Sequence, residues 1–234
     1  MDRQILSKQR VADHGEVLTG KREVNAMLDL EKSETERIDS RFLEPACGTG
    51  NFLAEILERK LRVVEIRYSK SQLEFERYSI LAISSIYGID ILEDNIQQCR
   101  ERLFEIFDLK YLRLFKNKSS DDCRESVRYI LERNIIHGDA LSLKTVEDNP
   151  KPIVFSEWSP VNGSLLKRRD FTFHELLAHE DLKKSSLFSD LGEGVFLPTP
   201  EREYAPVHFR DIANVKQRQL QPGRSLLPCQ SEQR

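Results

Sequence analysis

The run Phe42-Leu43-Glu44-Pro45-Ala46-Cys47-Gly48-Thr49-Gly50-Asn51-Phe52-Leu53 constrains this chain more than any other stretch. A short apolar segment passes through a Gly-x-Gly turn into Phe52, Leu53, Ile56 and Leu57, which are apolar at helical spacing. The order predicts strand, glycine loop, helix. Glycine has no Cβ, so the backbone there can turn tightly and a ligand can approach it closely. The first N–H groups of the following helix have no partner within it and suit an anionic or polar ligand group. The spacing is not Gly-x-Gly-x-x-Gly, so a dinucleotide fingerprint fits badly. No Lys-Ser or Lys-Thr follows the second glycine, which excludes a phosphate-binding P-loop. The competing reading is a plain strand-to-helix turn that uses glycine for geometry alone.

Two further segments repeat the pattern of a buried strand ending in an acid. Ile86-Tyr87-Gly88-Ile89-Asp90-Ile91 is the first, followed by an amphipathic helix over Asn95 to Asp108 with Ile96, Cys99, Leu103 and Phe107 on one side. A carboxylate at such a strand end can accept hydrogen bonds from both hydroxyls of a ribose, which makes Asp90 a candidate. Glu93 or Asp94 would cap the next helix. A short helix over Cys123 to Arg133 leads into Asn134-Ile135-Ile136-His137-Gly138-Asp139-Ala140-Leu141, a third strand ending at Asp139. His137 reads as structural, since nothing nearby completes a triad or a metal cluster. Glu44, Asp90 and Asp139 thus end three successive strands, and in an open α/β sheet the ligand lies across the carboxyl ends of the strands.

An acid followed by Pro-x-Cys-Gly-x-Gly-x-Phe-Leu closely resembles the S-adenosylmethionine (SAM) loop of the amino-type DNA methyltransferases. The resemblance implies that Glu44 faces the methionine ammonium of the cofactor. It also implies that the backbone from Ala46 through Gly48 to Gly50 wraps the methionine part, with Asn51 among the contacts. Asp90 then takes the ribose and Asp139 the adenine amino group. Upstream, Gly15-Glu16-Val17-Leu18-Thr19-Gly20 resembles the Gly-Glu-Val-Phe-Thr-Pro segment that folds over the cofactor in a group of adenine-N6 DNA methyltransferases, with Thr19 at the cofactor-contacting position. Leu18 replaces an aromatic residue and Gly20 a proline. Without proline's fixed φ the cover is expected to be looser. The mixed, partly helical stretch from Val64 to Ser85 looks like the matching part of restriction-modification methylase subunits, with Lys70 and Arg77 read as solvated surface. The implied fold is an α/β three-layer sandwich of the class I methyltransferase type. The implied reaction is direct transfer of a methyl group from SAM to adenine N6 in double-stranded DNA, with no metal and no covalent intermediate.

The resemblance breaks at the expected fourth strand, Pro152-Ile153-Val154-Phe155-Ser156-Glu157-Trp158. The adenine-N6 enzymes carry Asn-Pro-Pro-Tyr or Asp-Pro-Pro-Tyr there. The exocyclic amine of adenine is a poor nucleophile, so two carbonyl acceptors must take its hydrogens while an aromatic ring stacks on the flipped base. This chain has neither tetrapeptide. Glu157 as acceptor, Trp158 as stacking ring and Asn162 as amide are the substitutes available. The alternative is a catalytically deficient SAM-binding or DNA-binding partner subunit of a restriction-modification system. Beyond Trp158 only Gly194–Leu197 and Pro206–Phe209 read as strands and Phe171–Leu182 as a short helix, so the sheet falls short of the family's full set at its C-terminal end. Lys167-Arg168-Arg169 reads as a basic loop, solvated or touching phosphate. The divisions expected are a cofactor-covering segment (1–40), a SAM-binding core (41–170), a small extension (171–216) and a disordered tail (217–234).

Composition narrows the setting. The 234 residues carry a formal net charge of −3, so any DNA contact would come from a local patch and not from an overall basic coat. The four cysteines, Cys47, Cys99, Cys123 and Cys229, form no Cys-x-x-Cys pair, which argues against a zinc site and against a disulfide framework. Cys47 reads as a small residue packed under the loop. No apolar run is long enough to span a bilayer and no signal peptide is evident, so the expected location is the cytoplasm.

Overall fold

A computed structural model describes residue 10 and residues 19–184 and 198–214, with the backbone alone for 179–184. The amino-terminal part holds helices α1 (Lys21–Leu30) and α2 (Lys32–Thr35), strand β1 (Phe42–Glu44), and helices α3 (Asn51–Tyr68) and α4 (Gln72–Ser84). The middle holds β2 (Ile86–Asp90), α5 (Glu93–Phe115), α6 (Asp121–Asn134), β3 (Ile135–Asp139) and β4 (Lys144–Thr145). There follow β5 (Val154–Asn162), β6 (Leu165–Thr172), α7 (Phe173–Lys184), β7 (Arg202–Glu203) and β8 (Val207–His208). The fold is mixed α/β. β1, β2 and β3 lie side by side and parallel, and β4 joins β3 antiparallel, giving a mostly parallel four-strand sheet.

Two helix starts are capped by serine. Ser71 Oγ accepts from Glu74 N at 3.4 Å and Ser120 Oγ from Cys123 N at 3.4 Å. The start of α3 differs: its N-cap is Gly50, at φ 84°, with no side-chain cap. Strand β2 sends alternate residues to opposite faces, as the two-residue repeat of a strand requires. Ile86 joins the main core, with Leu53, Leu57 and Leu61 of α3 and Phe107 of α5, all fully buried. Tyr87 and Ile89 join a smaller cluster on the other face with Ile153, Phe155 and Phe173. Helices therefore cover one face of the sheet, and the start of β5 with α7 covers the other.

Lys60 of α3 is fully buried under the amino ends of the strands. Its ammonium donates to Ile38 O at 3.1 Å, to Ser85 Oγ at 2.6 Å and to Ser40 O. These contacts fasten the chain entering β1 and the chain entering β2 to the same helix.

The expected fourth strand is not a member of the parallel sheet. β5 pairs antiparallel with β6, and β6 pairs with β7 and β8, in a second sheet. A parallel neighbour needs a crossover of a dozen or more residues, usually a helix. Here β4 occupies that connection and no helix lies between β3 and β5. The two-residue loop Gly163-Ser164 then closes a hairpin, with Asn162 paired to Leu165 and Gly163 at φ 52°. Lys167, Arg168 and Arg169 are not a loop but lie on β6. Arg168 is buried against Asp170, with Nη2 2.5 Å from Oδ2. The short helix begins at Phe173, and Val207–His208 form the small strand expected there. The expected strand at 194–197, the tail from 217 and Val11 to Leu18 lie outside the described residues.

Candidate cofactor site

The glycine loop rests on the end of β2. Cys47 N donates to Ile89 O at 2.9 Å, and Gly48 N to Asp90 Oδ2 at 2.8 Å. A Cβ at Gly88 would come within 2.9 Å of Leu53 Cδ1 and 3.0 Å of Cys47 Sγ, so the loop packs this closely only over a glycine. A Cβ at Gly50 would meet Cys99 Sγ at 2.7 Å, in a backbone conformation that side chains rarely adopt. Cys47 is buried, and its contact with Cys99, reinforced by burial, pushes its thiol pKa up.

Glu44, Asp90 and Asp139 stand at the carboxyl ends of neighbouring parallel strands. Glu44 is half-buried, and burial raises its pKa against the opposing effect of the Ala46 amide, which donates to Oε1 at 3.3 Å. Among the described residues no cation pairs with it. Asp90 is engaged more fully than a free ribose ligand would be. Besides Gly48 N it accepts from Leu92 N at 2.9 Å and Asn95 Nδ2 at 3.2 Å. A carboxylate offers about four acceptor positions. Asp90 therefore clamps the loop to β2 and keeps about one position for a ligand. Asp139 accepts from Leu141 N at 2.9 Å, and that amide, followed by the Ser142 hydroxyl, holds its carboxyl below the usual range.

Thr19 and Asn51 meet at the loop. Asn51 Nδ2 donates to the Thr19 carbonyl at 2.8 Å, and Arg102 Nη1 donates to Asn51 Oδ1 at 2.6 Å. Thr19 thus meets the loop through its main chain. On the other side, Arg10 reaches Asp94 at 2.6 Å and Asn95 Oδ1 at 3.0 Å. Residues 10 and 19 therefore flank the loop on the α5 and α3 sides. His137 Nε2 lies 3.0 Å from Ile91 O, a structural contact. Sequence reading missed two side chains at this edge, Ile91 (44% exposed) and Leu141 (95% exposed). They are large apolar groups directly beyond the acids of β2 and β3. The signal was present as an apolar residue one or two places after each strand-end acid.

The three residues beyond the break lie elsewhere. Glu157 is held between Arg41 and Arg169, the latter at 2.7 Å. Trp158 is buried, edge-on to Tyr129, and with Asp39, Ser85 and Pro160 lines a cavity of about 150 Å³ where the chain enters β1 and β2. That is the end of the sheet opposite the glycine loop. Asn162 is exposed at the hairpin turn. Among the described residues no group of acids, histidines and cysteines could hold a metal, and no helix is long and apolar enough to cross a membrane.

Comparison with known families finds a match to the family described as MmeI, DNA-methyltransferase domain, over residues 20–152. No curated protein and no solved structure matches. The matched span runs from the segment before α1 to the last residues before β5, so it takes in the whole parallel sheet, the glycine loop and all three strand-end acids. It implies a Rossmann-like fold and stops where the second sheet begins. Covering more than half of the 234 residues, it shows that this chain belongs to the MmeI DNA-methyltransferase domain family.

Proposed function

We propose that this chain binds SAM at the carboxyl edge of its parallel sheet and serves the methylation of adenine N6 in double-stranded DNA, within a restriction-modification system of the cytoplasm. The carrying observation is Glu44. A half-buried carboxylate beside a glycine loop, with no cation paired to it among the described residues, fits the ammonium of a methionine moiety. Ala46, Gly48, Gly50 and Asn51 line the same turn, and the uncapped start of α3 leaves amide groups facing it. Asp90 contributes its remaining acceptor position to a ribose and Asp139 accepts an adenine amino group, with Ile91 and Leu141 as apolar walls. Thr19 closes the methionine end. When bound, SAM supplies a methyl group on a sulfonium, a good leaving group. The protein's own work is orientation and exclusion of water. The finer fold reading, a class I three-layer sandwich, accords with helices on one face and β5 with α7 on the other.

A second reading is favoured by Glu157 and Trp158. The one carboxylate offered as base acceptor is tied up by two arginines, and the one indole offered for stacking is in the core. On that reading the chain holds SAM, or SAM and DNA, while another polypeptide activates the base. One pair of measurements separates the two. Glu44→Gln is expected to weaken SAM binding in calorimetry by about 10- to 100-fold, the worth of a charge-assisted hydrogen bond, while leaving the melting curve in place. Unchanged affinity would remove Glu44 from the site. N6-methyladenine in DNA from cells expressing the chain alone then decides whether it is a complete enzyme: methylation lost in Glu44→Gln establishes one, and none from a SAM-binding protein leaves the partner-subunit reading.

A further inference from the structure

The glycine loop carries opposite charges at its two ends. Glu44 stands at its entry, where Ala46 N donates to Oε1 at 3.3 Å. Arg102, an exposed residue of α5, stands at its exit. Arg102 Nη1 donates to Asn51 Oδ1 at 2.6 Å and to Thr49 O at 3.4 Å. The turn between the two charges is closed by Gly50 N, which donates to Cys47 O at 2.8 Å. Among the described residues Glu44 meets no cation and Arg102 meets no carboxylate. A guanidinium only donates. It therefore turns the oxygen of the Asn51 amide toward itself and the NH2 toward the Thr19 carbonyl, 2.8 Å away. These contacts commit Nη1. Nε and Nη2 have no acceptor among the described residues. Those two nitrogens form an edge with which a guanidinium can take both oxygens of one carboxylate.

We propose that Arg102 binds the carboxylate of the methionine moiety of SAM. The inference rests on the SAM-binding reading above and adds the charged group which that reading leaves without a partner. An α-amino acid bears an ammonium and a carboxylate on one carbon. Glu44 suits the first and repels the second. A site for the whole zwitterion therefore needs a cation near the acid that the acid does not neutralise. Among the described residues Arg102 is the cation in hydrogen-bond contact with the loop. Its neighbours put it at the methionine end, since Asn51 links it to Thr19, the residue assigned to close that end. The other arginine beside the loop, Arg10, is committed to Asp94 at 2.6 Å.

The probes are SAM and decarboxylated SAM, which lacks that carboxylate and is otherwise the same molecule. Each is titrated into the full chain in a calorimeter. Wild type is expected to bind SAM about tenfold more tightly, the lower end of what a charge-assisted pair gives, because Arg102 is exposed and screened. Arg102→Gln keeps an N–H donor for Asn51 and removes the charge. It is expected to weaken SAM binding about tenfold and to leave decarboxylated SAM unchanged, so that the preference vanishes. Arg102→Lys, which keeps the charge without the fork, is expected to retain part of the preference. Equal binding of the two ligands by wild type overturns the proposal without any variant, so the test stands if Arg102→Gln fails to fold. An equal loss for both ligands in Arg102→Gln also overturns it, since Arg102 would then only support the loop through Asn51. Unchanged SAM affinity in that variant does the same. Wild type that binds neither ligand refutes the SAM reading instead, a separate failure seen before the two ligands are compared.

Discussion

At the scale of single residues the clearest physical tension is Lys60. It is fully buried, its ammonium donates to Ile38 O, Ser40 O and Ser85 Oγ among the described residues, and burial pushes its pKa down to about 7. In the unfolded chain a lysine titrates near ~10.4. Below pH 7 both states carry the proton, and the penalty for burying the charge is present in full. Between about pH 7 and 10 the folded state releases its proton first, so the unfolded state binds more protons and stability rises with pH, by at most ~1.4 kcal/mol per unit. Urea denaturation of the wild type at pH 7, 8 and 9 is expected to show this rise relative to Lys60→Met. The variant, with no group to titrate there, should lack it. Parallel curves for the two proteins would mean that the three oxygens hold the ammonium charged throughout. Nothing in the sequence marks Lys60: its neighbours Glu58 and Arg62 make it look like one more solvated helix position. Its burial follows from the way the chain entering β1 folds back over α3, a tertiary fact that local pattern does not carry.

At the scale of elements, strand-loop-helix and the two strands after it were legible because each is a local pattern: a buried apolar run, an acid, a helical repeat. The acids Glu44, Asp90 and Asp139 came out at neighbouring strand ends for the same reason. The double duty of Asp90 was not legible, since Gly48 is 42 positions away in sequence. The hairpin was legible in principle. Gly163-Ser164 is a two-residue turn signal between β-prone runs, but the expectation of a fourth strand in the parallel sheet hid it. The loop itself yields a sharp test. Gly50→Ala must place a Cβ against Cys99 Sγ at φ 84°. It is expected to lower the melting temperature and abolish measurable SAM binding. Adding Cys99→Ala makes room but leaves the φ strain, of order 1–3 kcal/mol, so stability should return only in part. Full recovery in the double variant would mean that contact alone, and not backbone conformation, requires the glycine.

The whole molecule is held together across the point where the family match stops. Residues after 152 supply Trp158, Leu166, Phe209 and Ile212 to the main core, and Ile153, Phe155 and Phe173 to the cluster on the other face of the sheet. They also supply Arg210, whose Nε lies 2.6 Å from Oε2 of Glu76, a fully buried carboxylate on α4 that Tyr111 also contacts. The second sheet is therefore not a detachable appendage, even though the methyltransferase pattern ends before it. Removing one partner of a buried ion pair leaves an uncompensated charge and costs about 3–5 kcal/mol, whereas neutralising both is far milder. Arg210→Ala should thus lose most of that stability in urea denaturation. The Arg210→Ala, Glu76→Gln double variant should lose less than Arg210→Ala alone, because no bare charge stays behind. If the double variant is the weaker of the two, Glu76 is stabilised without Arg210, through Tyr111 and Gln72. A fragment of residues 19–152 tests the same dependence directly. It uncovers Tyr87 and Ile89 and strands Glu76, so it is expected to show no cooperative melting transition. A cooperative transition would make the parallel sheet self-sufficient and reduce everything after 152 to a separable cover.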